Sequence, residues 1–277
     1  MTVWHIKTYD ELTIQDNFIF QRVMRNKRIC KKLIEKILHI KIKTIAFPVT
    51  EKSIDVSYDS KSVRLDVYVE DENGVLYDIE MQTTDDASPD ELPKRTRYYQ
   101  AMMDMDVLEK GADYTELRKT YIIFICTFDP FKEGRSMYTF QQTCQENPKL
   151  LMGDETTKIF LSSKGSRDGL DRDVAAFLDY VEGHAARGRF TQSIASEVER
   201  VKEHKETRVD YMTLAMELKR QRDSGREEGL KQGLSRGEAR LGKLMSILLA
   251  SGKMADATAA ATDEKVRQKL FVQYHID

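Results

Sequence analysis

The chain has 277 residues, 40% hydrophobic and 32% charged, with 44 bases against 46 acids and a formal net charge of −2. That balance excludes a global basic field for nucleic acid and leaves enough apolar sequence for a sizeable core. Cys30, Cys126 and Cys144 are odd in number and lack CxxC spacing, which points away from a disulfide framework or a zinc site. The opening "MTVWHIKTYDEL" has no basic start leading into an apolar run, so no signal peptide is expected. "YIIFICTF" falls well short of the roughly 20 residues a membrane helix needs. A cytoplasmic protein without membrane contact is expected.

In chain order, "DNFIFQRVMRNKRICKKLIEKIL" predicts one amphipathic helix with Asp16 as N-cap, because Phe18, Val23, Ile29, Leu33 and Ile37 lie near one stripe. From Arg22 to Lys43 there are nine lysines and arginines against one acid, Glu35. This is either a solvated helix face or a phosphate-facing patch. "KTIAFPVTEKSI" suggests an irregular edge strand, since Pro48 cannot donate to a ladder. A hairpin follows, "SVRLDVYVEDENGVLYDIEMQT". "DELPKRTRYYQAMMDMDVLEKG" predicts a helix stopped by Gly111. "TYIIFICTF" is continuously apolar, as a central strand covered on both faces would be. "MYTFQQTC" and "TKIFLSSKG" read as two more strands, and "DVAAFLDYVEGHAARG" as another helix.

From about Gly188 the sequence turns long, charged and helical. A core of residues 1–188 and a helical extension, 189–277, are therefore expected. Gly225, Gly229, Gly233 and Gly237 recur every four residues, and together cost a helix about 4 kcal/mol relative to alanine. The segment is either a frayed, hinge-like helix or half of a closely packed pair. The second reading gives a homodimer, with Leu230, Leu234, Leu241, Leu244 and Leu248 as its seam. The five histidines are scattered with no nucleophile–base pattern, and no GxxxxGK[ST] is present, so no nucleotide cofactor is expected.

The hairpin carries the chemistry. Val63, Leu65, Val67 and Val69 alternate with Arg64, Asp66, Tyr68 and Glu70. Val75, Tyr77, Ile79 and Met81 alternate with Leu76, Asp78, Glu80 and Gln82. Strand side chains have period two, so each run has an apolar odd face and a largely polar even one. Pairing odd with odd requires a three-residue loop, Glu72-Asn73-Gly74, with glycine last, where this loop class wants a left-handed residue. That register sets Asp66 across from Glu80 and Arg64 across from Gln82. Cross-strand Cβ atoms lie about 5 Å apart, so the two carboxylates repel unless a proton, an arginine or a metal ion sits between them. Mg²⁺ and Mn²⁺ favour such oxygens and keep several waters. An acid pair neutralised by Arg64 or a distant lysine is the plainer alternative.

In order and content, "RLDVYVEDENGVLYDIEMQ", "KRTRYYQAMMD", "YIIFICTFDPF", "MYTFQQTC" and "GREEGLKQGLSRG" resemble the PD-(D/E)xK nuclease superfamily. Within it they are similar to the Rpn family, recombination-promoting nucleases also labelled transposases. The resemblance runs from about Asp16 to the C-terminus. It implies an α/β, restriction-endonuclease-like core, a mixed central sheet flanked by helices, and Mg²⁺-dependent DNA endonuclease activity of weak sequence specificity, with Mn²⁺ as a substitute. Asp66 and Glu80 match the metal-binding acids, the Met81 main-chain carbonyl a further ligand, and Asp16 an acid that some members add. Gln82 stands where most of the superfamily has lysine and would position the attacking water. Lysine brings a positive charge there and glutamine only a neutral dipole. Arg64 is expected to supply that charge. Tyr99 and Gln100 match a flanking helix that helps hold phosphate or metal, and Lys94, Arg95 and Arg97 cluster at its start, either as contacts to the DNA backbone or as a solvated helix end. The glutamine also leaves open a nuclease-fold protein that binds DNA without cleaving it, or an oligomeric interaction protein.

Overall fold

The computed structural model describes residues 6–47, 53–54, 63–83 and 91–276. Its first compact unit, Met1–Tyr211, is built on a six-stranded mixed sheet; the second is Met212–Asp277.

The helix expected from residue 16 to 38 is two helices, α1 (Asn17–Met24) and α2 (Lys27–Leu38). Asn26 divides them. Its backbone is extended, and its side-chain oxygen accepts from the amides of Arg28 at 3.2 Å and Ile29 at 3.4 Å. That cap starts a new helix. Strand β1 (Ile45–Ala46) is the expected edge strand, and Pro48 lies outside the described residues. Two short strands, β2 (Ser53–Ile54) and β3 (Val63–Arg64), pair with each other in a separate small sheet.

The hairpin joins β4 (Val67–Asp71) to β5 (Leu76–Gln82), pairing Val67 with Ile79 and Tyr68 with Asp78. The loop has three residues, as its glycine requires. Gly74 adopts φ +76°, the Asp71 amide donates to the Val75 carbonyl at 3.0 Å, and the Asp71 carboxylate accepts from the Asn73 and Val75 amides. Helix α3 (Glu91–Val107) then leads to β6 (Thr120–Cys126), which runs parallel to β5. Strand β7 (Met137–Phe140) returns at the edge, antiparallel to β8 (Thr156–Ser162), which is parallel to β6. The sheet order is β1-β4-β5-β6-β8-β7. Gln82, Cys126 and Ser162 align at the carboxyl ends of the three parallel strands, the end at which open α/β sheets place their sites.

Both faces of this sheet are covered. Leu92, Met102 and Met103 of α3 pack with Tyr68, Leu76, Ile122, Phe124 and Phe160 on the even face. The even face of the hairpin, expected to be largely polar, is therefore roofed by α3. Helix α1 lies against β5, and α2 packs on α4 (Arg172–Val181) and α5 (Gly188–Glu203). The boundary expected near residue 188 falls inside the first unit, because α5 buries Phe190, Ile194, Val198 and Val201 and packs on α1 and α4.

In the second unit the last turns of α6 (Lys205–Ala250) meet α7 (Met254–Thr262) and α8 (Glu264–Gln273). Leu244 and Leu248 are buried there with Ala260, Leu270 and Phe271. They hold the helical cap together and do not extend a free seam. Among the described residues no helix is long and apolar enough to cross a membrane.

Candidate active site

The ladder of β4 and β5 ends at Val67 and Ile79, so Asp66, in the bend before β4, stands across from Glu80. Three hydrogen bonds hold Asp66 in place, one of them to Glu80. The Asp66 amide donates to Glu80 Oε1 at 2.8 Å, and the Met81 amide donates to Asp66 Oδ2 at 3.2 Å. From α1, Gln21 Nε2 donates to Asp66 Oδ1 at 2.8 Å. At the end of β5, Gln82 Oε1 accepts from Arg95 Nη2 at 2.5 Å. The sheet, α1 and α3 thus converge on one carboxyl strand end.

One position back along β5's even face is Asp78, wholly buried, with neither carboxylate oxygen partnered among the described residues. Burial pushes Asp78 well above the ordinary carboxylate range, and the Asp66 charge adds to this while Arg95 opposes it. Glu80 rises too, through burial first and then the charges of Asp78 and Asp66. As carboxylates neither can donate to the other. A proton on either one would let it donate to the other and relieve both. The Tyr99 hydroxyl, desolvated beside Glu80, is pushed up as well.

The structure brings Asp66, Glu80, Met81 and Gln82 of the hairpin to one strand end, with Arg95 and Tyr99 of α3 beside them. The Arg64 backbone pairs with Ser53 in the small sheet instead of continuing the ladder opposite Gln82, and its side chain lies outside the described residues. The Asp16 carboxylate is engaged by Lys7 Nζ at 2.7 Å and the Thr13 amide at 2.8 Å; Gln21 is the α1 residue that reaches Asp66. Gln100 is a core tie. It accepts from the Thr120 hydroxyl and donates to Asp104. Lys94 and Arg97 are exposed on α3. Of the nine bases from Arg22 to Lys43, Arg22 pairs with Asp210, Lys36 with Asp173, and Lys31 donates to main-chain carbonyls. Lys27, Arg28, Lys32, Lys41 and Lys43 are exposed.

Sequence reasoning passed over Gln21 and Asp78. Asp78 carried a signal, an acid on the same alternate positions as Glu80; Gln21 carried none, since only packing brings α1 to the hairpin.

An all-oxygen donor set containing two adjacent carboxylates, with the Glu80 pKa pushed up by burial and by the charges beside it, fits a hard divalent cation. Among the described residues no three Asp, Glu, His or Cys side chains converge on one ion position. Asp66 and Glu80 are the two carboxylates at this strand end, with the Met81 main chain beside them. Residues 16–161 match the family model described as PD-(D/E)XK nuclease family transposase. No curated protein and no solved structure gives a significant match.

Proposed function

Because the chain belongs to the PD-(D/E)XK nuclease family of transposases, we propose that it is a Mg²⁺-dependent endonuclease of DNA with weak sequence specificity. The observation that carries this reading is the Asp66–Glu80 pair, bonded together at the carboxyl end of β5 beside a third, wholly buried acid. A cation held by Asp66, Glu80 and the Met81 carbonyl would lower the pKa of a bound water and offset charge on the phosphate. Gln82 orients that water. Gln21 and the Met81 amide fix the Asp66 carboxylate, so the pair does not have to reorganise on binding. Lys94, Arg97 and the exposed bases of α2 hold the DNA backbone; such contacts position without reading sequence and make affinity fall steeply with salt. Cys30, Cys126 and Cys144 are free thiols, which suits a cytoplasmic setting. Nicking of supercoiled plasmid, compared in Mg²⁺, Mn²⁺, Ca²⁺ and EDTA, tests the reading. Binding in Ca²⁺ with no nicking in Mg²⁺ or Mn²⁺ would replace it with a DNA-binding protein.

The protein acts as a homodimer joined through α6. Leu230 and Leu234 are 67% and 62% exposed, and the glycines from 225 to 237 have open space where a Cβ would lie. A second copy of the helix would cover the leucines and approach along the glycines. Burying one leucine contributes ~1.5–3 kcal/mol, and each copy brings two. Leu230→Ser with Leu234→Ser should weaken the dimer roughly 100-fold or more in sedimentation. A wild-type monomer at micromolar concentration rules the dimer out.

A further inference from the structure

Glutamine at position 82 leaves β5 without the cation that the motif lysine brings, and the structure presents one from another element. Arg95, in the second turn of α3, places Nη2 on Gln82 Oε1 at 2.5 Å. Its guanidinium lies over the rings of Phe124, at 5.1 Å, and Tyr99, at 5.7 Å. Two aromatic faces and a fixed amide oxygen hold the group in one place. Its neighbours Lys94 and Arg97 are exposed, whereas Arg95 is partly buried, and its Nε is buried with no partner among the described residues. A guanidinium has five N–H donors in a rigid fork. An orphan donor on a cation already desolvated beside Asp78 and Glu80 is what a site would show when an anion completes it.

We propose that Arg95, aimed by Gln82, is a catalytic residue that takes the part of the motif lysine. This rests on the nuclease reading and assigns Gln82 a second task, as the holder of that cation. In hydrolysis the water oxygen bonds to phosphorus and the bond from phosphorus to the leaving sugar oxygen breaks. One water proton passes to solvent, and the leaving oxygen takes a proton from solvent. Arg95 exchanges no proton in these steps, because a guanidinium stays protonated in proteins. It offsets the charge that gathers on the non-bridging oxygens, and it acts only if already in place.

The test uses the full chain, supercoiled plasmid and Mg²⁺, with DNA affinity measured separately in Ca²⁺. Arg95→Gln should lower kcat by about 10²–10³-fold, the range for loss of one charge-stabilising donor, and leave the Kd for DNA within about 3-fold. Gln82→Lys combined with Arg95→Gln should recover at least about 10-fold of that loss, because a lysine at position 82 restores the charge at its usual place; a merely structural clamp would not be rescued. Arg95→Lys, which keeps a charge, should retain more activity than Arg95→Gln and serves if the glutamine variant melts early. Wild-type cleavage together with an unimpaired Arg95→Gln overturns the proposal, as does a double variant no faster than the single. Absence of cleavage by the wild type in every metal instead overturns the nuclease reading on which it stands.

Discussion

Glu80→Gln and Asp66→Asn should each reduce Mg²⁺-dependent nicking by about 10³-fold or more, because each removes one of two charged ligands from a cation that contributes several kcal/mol to the reaction. The variants should separate in stability. Glutamine at 80 keeps an oxygen for the Asp66 amide, now at 2.8 Å, and turns an N–H₂ toward the unpartnered Asp78 oxygens. Its metal-free melting temperature should equal or exceed that of the wild type. Asparagine at 66 sets its N–H₂ against one of two donors, Gln21 Nε2 or the Met81 amide, so it should melt slightly lower. Plasmid nicking and thermal melts in EDTA read both effects. Cleavage by either variant within ten-fold of the wild type would mean that the cation lies elsewhere.

Asp78→Asn should stabilise the metal-free protein, and more so as pH rises. Burial holds the Asp78 and Glu80 pKa values above those of the unfolded chain. At acid pH, below the unfolded values, both states are protonated and the pair has no effect. As pH rises past those values the unfolded chain ionises first while the folded one keeps its proton, so folding stability falls until the folded groups also ionise. Asparagine removes one of the two acids and can donate to the other. An unpaired buried polar group costs about 1–3 kcal/mol, more when charged, and a gain of that order is expected near neutral pH and none well below the unfolded carboxylate values. Urea unfolding in EDTA at several pH values measures it. An unchanged slope of stability against pH would mean that Asp78 does not hold the raised pKa that its burial implies. Addition of Ca²⁺ should narrow the difference, since a cation at Asp66 and Glu80 offsets the same charge.

The hairpin was legible because its determinants are local. One glycine with positive φ and a period-two pattern set the loop length, and the loop length set Asp66 against Glu80. The helix break at Asn26 was hidden because the apolar stripe continues in phase across it, so Ile29 and Leu33 read as the same face as Phe18 and Val23. Helix α5 was assigned to the extension because its charged residues mask an apolar row, Phe190, Ile194, Val198 and Val201, that only packing on α1 and α4 reveals. The role of α3 was hidden for a related reason. Polar residues on alternate strand positions suggest solvent, and nothing within β5 says that a helix roofs them. The Gln82–Arg95 bond links two elements 13 positions apart whose individual patterns carry no trace of it.

Asp66 and Glu80 are only 14 positions apart on one hairpin, and this bears on the order in which the protein folds. Closing a three-residue turn loses little chain entropy and takes microseconds, whereas docking α3 and pairing β5 with β6 wait on longer loops. The acids therefore face each other early, while water still screens them. The electrostatic barrier comes later, when α3 closes over Asp78 and Glu80 and the screening is lost. A divalent ion captured by the open hairpin would lower that barrier from the unfolded side, and its presence would be felt in the rate of folding as well as in the rate of unfolding.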